Sequence, residues 1–224
     1  MAKNFKRVFS LFKKRYKIVP LETFADDPYK TLVSTVLSSR TKDETTHLAA
    51  KRLFKRAPDM KKLGQLEQLE IRNLIYPVGF YKTKAKHLKM LAERILEPAR
   101  NATQSLAGGE FSSKGRSATE RGGKIPETRE ELTKLPGVGR KTANLVLNRA
   151  FDIPAIAVDT HVHKISNLLG WVKTKTPQQT EKELVKIIPK KYWSDMNRLF
   201  VSIGRQFNSK RKLEEFLRKN GLIA

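Results

Sequence analysis

The sequence predicts an all-α fold on three observations. Apolar residues recur three to four positions apart through most of the chain, no segment alternates apolar and polar residues as a half-buried strand would, and no repeat of 20 to 50 residues is present. At 224 residues, 39% hydrophobic and 30% charged, the chain is long enough to bury a core and too apolar to be disordered.

Taken in order, the elements begin with Pro28 to Ser38, where Leu32, Val33, Val36 and Leu37 make one apolar face. Asp43 is placed to cap the next helix, whose Ala49 and Leu53 point inward. Leu63, Leu66, Leu69, Leu74 and Ile75 continue the pattern until Pro77 and Gly79 break it. Leu88, Leu91, Ile95 and Leu96 form a further stripe. Residues 97–124 hold five glycines and four serines with only Leu106 and Phe111 as large apolar groups, so a surface loop is expected there. Order resumes over Ile125 to Leu135, with Thr128 and Glu131 spaced as a capping box. Ala143, Val146, Leu147 and Ala150 define one later helix, and Val162, Ile165, Leu168 and Leu169 another.

Charge narrows the partner. There are 46 Lys+Arg against 22 Asp+Glu, a net +24, and residues 3 to 17 carry seven basic side chains without an acid. Self-repulsion of that size is relieved by a polyanion: nucleic acid, or an anionic membrane surface. No run approaches the roughly 20 apolar residues of a membrane span, and the opening residues lack a signal-peptide pattern, so an intracellular location, cytoplasm or nucleoid, is expected. The absence of cysteine excludes disulfides, thiol catalysis and cysteine-ligated metal.

The chemistry concentrates in Leu135-Pro136-Gly137-Val138-Gly139-Arg140-Lys141-Thr142. Pro136 stops one helix, Gly137 and Gly139 permit a tight turn, and a new helix begins near Arg140. Such a helix–hairpin–helix points glycine amides and a helix N-terminus at an anion, as a DNA phosphate requires. Lys141 lies in the first turn, and a lysine amine is the nucleophile that Schiff-base chemistry needs. Position alone favours a phosphate-binding lysine. Eighteen residues on, Ile156, Ala157 and Val158 should bury and deliver Asp159 to a helix start, either as a cap or as a functional carboxylate. His161 and His163, two apart, face different ways and suit packing better than a metal.

These residues resemble a known family. LPGVGRKTAN at 135–144 followed by AVDTH at 157–161 is similar to endonuclease III, a base-excision DNA glycosylase with AP-lyase activity. DPYKTLVSTVLSSRTKD at 27–43, VGFYKTKA at 78–85, Ile125-Pro126-Glu127 and Ile203-Gly204-Arg205 match family segments in the same order. The resemblance implies a six-helix barrel domain over 26–153, interrupted by the 97–124 insertion, and a second helical domain from 1–25 and 154–224, with a DNA-binding cleft between them. It implies Lys141 as nucleophile and Asp159 as the catalytic carboxylate, with no metal at either. DNA contacts are implied for Arg40, Phe80, Gly137, Val138, Gly139, Arg140, Thr142 and His161. Phe80 corresponds to a wedge residue, although its sequence suits a core equally well. The expected partner is duplex DNA carrying damaged bases or abasic sites, bound by a monomer, and oxidised pyrimidines are the expected lesions.

The chain departs from the family at three places. The four cysteines that hold a [4Fe–4S] cluster are absent, so no cluster is expected, and Lys210, Arg211 and Lys212 with Leu213, Phe216 and Leu217 stand in that region. Arg40 replaces a glutamine, and the 97–124 segment is longer than usual. Monofunctional mismatch-type glycosylases replace the lysine that Lys141 matches. A non-catalytic hairpin module would not need Asp159, and a basic RNA-binding structural protein would not share motifs along the chain.

Overall fold

The structure is a computed structural model that describes residues 4–25, 27–105 and 123–223. Every regular element among them is helical: α1 (Phe5–Lys14), α2 (Pro28–Ser38), α3 (Asp43–Arg56), α4 (Met60–Gln65), α5 (Gln68–Ile75), α6 (Tyr81–Ser105), α7 (Arg129–Leu132), α8 (Arg140–Ala150), α9 (Thr160–Leu168), α10 (Pro177–Ile187), α11 (Trp193–Gln206) and α12 (Lys210–Lys219), with two short 3₁₀ turns at Pro20–Phe24 and Lys190–Tyr192. They group into two units, Thr23–Phe151 and Met1–Glu22 with Asp152–Ala224.

The Thr23–Phe151 unit is built around α2. Asp27 caps it by accepting the Lys30 N–H at 3.0 Å, and Pro28 takes a first-turn position where no N–H is needed. Eight of its eleven residues are buried, because α3, α6 and α8 all pack against it. Asp59 caps α4 in the same way, and α4 and α5 lie on α6. Leu63, Leu66, Ile71 and Ile75 are buried, but Leu69 is 56% exposed, because the break between α4 and α5 turns it away from the stripe. Leu88, Leu91, Ile95 and Leu96 of α6 are buried.

Two sequence expectations are corrected. The cap of α3 is Lys42, and Asp43 is its first helical residue, where its charge still complements the helix dipole. The first part of the segment expected as a loop is helical instead, because α6 runs to Ser105. The glycine-rich remainder of that loop, 106–122, lies outside the described residues.

The other unit has an aromatic core. Val8, Phe9 and Phe12 of α1 pack with Trp171, Phe200 and the buried faces of α9, α11 and α12. Phe9 stacks on Tyr192 at 4.3 Å, and Phe12 meets Phe200 edge-on at 5.1 Å. Gly204 on α11 admits the His161 ring of α9: a Cβ there would lie 2.1 Å from His161 Nδ1. Residues early and late in the chain are tied together, with Asn4 Nδ2 donating to Leu222 O at 3.3 Å and Arg7 Nη2 to Asn220 O at 2.7 Å. Helix α12 is capped by Ser209 and buries Leu213, Phe216 and Leu217, with Phe216 stacked on Phe207 at 4.2 Å. Leu217 is fully buried, so Leu217→Ala is expected to cost about 2–5 kcal/mol in chemical denaturation. A loss below ~1 kcal/mol would mean that α12 merely decorates the core.

Candidate functional site

The hairpin begins where α7 ends. Thr128 caps α7 through the Glu131 N–H at 3.3 Å and donates its hydroxyl to the Glu131 carboxylate at 2.9 Å. Leu132 and Leu135 are buried, and the chain then reverses at Gly137, whose φ of +77° belongs to glycine. A Cβ at Gly137 would also meet His87 Nδ1 at 2.9 Å. Gly139 is different. Its backbone is extended, φ −95° and ψ 176°, and nothing lies within 4 Å of where its Cβ would stand. Neither conformation nor packing within the fold requires a glycine there. What the missing side chain leaves is open access to the start of α8.

Gly139 is the N-cap of α8 and provides no side-chain cap, so the first-turn amides lack the usual acceptor. Arg140 and Lys141 are exposed in that turn, Thr142 is half-buried, and Ala143 to Asn148 anchor the helix in the core. Val138 does not belong with the exposed set. Its side chain is 6% exposed and its N–H donates to Leu135 O at 3.1 Å, so it pins the turn from inside and has neither a surface nor a donor to offer. An open groove of about 670 Å³ beside the hairpin is lined by Lys82, Lys86, His87, Met90, Lys134 and Pro136. These lysines were not singled out from sequence; they extend the positive surface from the hairpin onto α6.

In the other unit Ile156, Ala157 and Val158 are buried, and Asn197 Nδ2 donates to Ala157 O at 3.0 Å. This fixes the approach to Asp159, the half-buried N-cap of α9, whose Oδ1 accepts the Val162 N–H at 2.8 Å. Among the described residues, Oδ2 takes no hydrogen bond. His161 is half-buried against Gly204, and His163 Nδ1 lies 2.6 Å from Thr180 Oγ1. No group of three or more potential metal-ligating side chains occurs among the described residues.

Arg40 and Phe80 come together within the Thr23–Phe151 unit. Both are exposed, Phe80 at 62%, and both hold left-handed backbone, φ 50° and 58°. The Arg40 guanidinium sits 5.5 Å from the Phe80 ring centroid, a cation–π distance. The alternative of a core Phe80 is thus set aside. Between their two turns lies Lys84, 6% exposed, with Nζ donating to Leu37 O at 2.7 Å, Ser39 O at 2.5 Å and Thr41 Oγ1 at 3.0 Å. Burial pulls its pKa down to about 8. Sequence reasoning missed Lys84, although the signal was present: it precedes Leu88 and Leu91 at helical spacing on an apolar stripe, where a lysine is out of place.

The family's cluster finds no ligands. The chain has no thiol, and α12 fills the region after Gly204 with Leu213, Phe216 and Leu217. No helix among the described residues is long and apolar enough to cross a membrane.

Comparison with known proteins agrees with the hairpin and its surroundings. Residues 33–190 match the HhH-GPD superfamily of base excision DNA repair proteins. The chain is 44% identical over 180 residues to the endonuclease III of Thermotoga maritima, covering 80% of this chain and 74% of that one. Its fold is similar to an endonuclease III in non-covalent complex with DNA, with a TM-score of 0.76 and 27% identity, covering 97% of this chain and 99% of that one. It is also similar to an endonuclease III trapped as a covalent intermediate with DNA, with a TM-score of 0.73 and 30% identity over 92% of this chain and 85% of that one. An uncapped helix N-terminus behind an accessible glycine, a lysine in its first turn and this breadth of similarity place the chain in the endonuclease III family of the HhH-GPD superfamily.

Proposed function

We propose that this endonuclease III family member excises oxidised pyrimidines such as thymine glycol with Lys141 as its nucleophile, and that it works where the cell keeps its DNA. As a family member the chain is a base-excision DNA glycosylase with AP-lyase activity, and its substrate is duplex DNA carrying damaged bases or abasic sites. The residue assignments are ours. The observation that carries them is Lys141 itself, exposed in the first turn of α8 behind a glycine that the fold does not require.

A stacked base cannot be reached, so the damaged nucleotide leaves the duplex. Phosphate contacts come from the amides at Gly137 and Gly139 and from Arg140 and Thr142, with His161 contributing from α9. Phe80 enters the base stack and Arg40 meets the orphaned base. Asp159, as a carboxylate, helps deprotonate the nucleophile and stabilises positive charge developing on the sugar. The free amine bonds to C1′ as the glycosidic C–N bond breaks, and the base departs. Rearrangement gives an imine, loss of the C2′ proton drives β-elimination of the 3′ phosphate, and hydrolysis frees Lys141. The absent cysteines supply no cluster, and no step runs through one.

The test is borohydride trapping on duplexes with either thymine glycol or an abasic site. Adducts on both support the reading, an adduct on the abasic duplex alone moves the base specificity elsewhere, and no adduct on either removes the Schiff base. Gly139 gives a second check. Gly139→Ser installs a good N-cap and should hold or raise the melting temperature while weakening duplex binding about tenfold, because a side chain now stands over the α8 amides. Unchanged affinity would remove the hairpin from the phosphate contact.

A further inference from the structure

We propose that Lys84 is a positioning residue: its ammonium and the Thr41 hydroxyl clamp the two turns that carry Arg40 and Phe80, holding both side chains aimed outward before DNA arrives. The inference rests on the functional reading above and adds a residue to it.

The geometry is one of complete satisfaction. The ammonium has three N–H groups, and the three acceptors Leu37 O, Ser39 O and Thr41 Oγ1 lie within 3.0 Å. Thr41 is equally used: it donates to Ser39 O at 3.1 Å and accepts from both Lys84 Nζ and the Gly79 N–H, the latter at 3.1 Å. One hydroxyl thus joins the turn after α2 to the turn before α6. Phe80 is bound to the same device, since its carbonyl accepts the Lys84 N–H at 3.0 Å in the first turn of α6.

Closeness of the two backbones reinforces the clamp. A Cβ on Gly79 would lie 2.4 Å from Arg40 O, so the turns touch without any side chain between them. Each prong also sits in left-handed backbone, which non-glycine residues adopt at a cost and keep only where the surroundings impose it. Lys84 is a cation in the first turn of its own helix, an unfavourable place, and finds its favourable field at the C-terminal carbonyls of α2. A residue burying a charge between two loops tipped by an exposed arginine and phenylalanine is poorly explained by stability alone, because an apolar side chain would pack there more cheaply.

The experiment compares Lys84→Met, Thr41→Val and Thr41→Ser with the parent protein. The probe is a duplex with 2-aminopurine opposite an abasic site, where insertion into the stack raises fluorescence. Single-turnover trapping on the same duplex gives the rate, and affinity for undamaged duplex and the melting curve serve as controls. Lys84→Met and Thr41→Val should lose most of the fluorescence rise and slow trapping by roughly 10- to 100-fold, while undamaged-duplex affinity stays within about twofold. Thr41→Ser keeps the hydroxyl and should restore both signals. If Lys84→Met does not fold, the Thr41 pair decides. Parent-like fluorescence and rate in Thr41→Val, or losses in Thr41→Ser equal to those in Thr41→Val, overturn the clamp. A parent protein that neither traps nor brightens the probe overturns the functional reading instead, and the clamp with it.

Discussion

Lys141→Gln abolishes covalent capture of DNA and lowers strand cleavage by roughly a thousandfold or more, while the protein still binds damaged duplex. Glutamine keeps the length and helix propensity of the position but has no nucleophilic nitrogen, so the bond to C1′ cannot form. Lys141 is exposed and supports no core contact, so the fold should be untouched; removing a cation from the first turn of α8 should even raise stability by a few tenths of a kcal/mol. The phosphate contacts proposed for Gly137, Gly139, Arg140 and Thr142 remain, so the salt slope of binding should stay close to that of the parent. Gel analysis after borohydride, beside a salt titration of affinity, reads both quantities. Residual trapping near the parent level would assign the nucleophile elsewhere, and Lys84 would be a poor substitute, since three acceptors occupy its ammonium.

Asp159→Asn is expected to slow base removal by about 10²–10⁴-fold, which is roughly 3–5 kcal/mol of barrier. The substitution separates the capping role that the structure shows for this side chain from the catalytic role proposed for it. Oδ1 caps α9 through the Val162 N–H, and asparagine caps a helix about as well as aspartate. The melting temperature should therefore hardly move, and any loss of rate belongs to the missing carboxylate. Asp159→Ala removes the cap as well and should cost about 1 kcal/mol of stability beyond the kinetic defect. A rate within a few-fold of the parent in Asp159→Asn would reduce Asp159 to a cap.

Local signals in the sequence were sufficient for most of the architecture. Helix α2 is bounded by a capping aspartate and a first-turn proline, and α8 by a Pro-Gly-x-Gly turn, so their limits follow from a few adjacent residues. The contacts that were not legible join residues far apart: Lys84 to Leu37 is 47 positions, and His161 fits against Gly204 for a reason that no periodicity contains. Val138 shows a subtler limit, because a residue in the middle of the Gly-x-Gly hairpin is buried and serves the turn from inside. The end of α6 lies beyond the expected limit because the glycines that mark residues 97–124 as a loop begin only at Gly108, whereas the helix persists to Ser105.

The hydrogen bonds from Asn4 to Leu222 and from Arg7 to Asn220 set a timetable for synthesis. Helix α1 has no core of its own; Val8, Phe9 and Phe12 are buried only by side chains from Ile156 onward. At about 5–20 residues per second on the ribosome, the residues separating α1 from that core take of the order of ten seconds to appear. The Thr23–Phe151 unit can complete its fold in that interval, while α1 waits with its aromatic face uncovered. A nascent-chain chaperone that recognises basic, aromatic segments would therefore find a target in α1, which is made well before the residues that bury it.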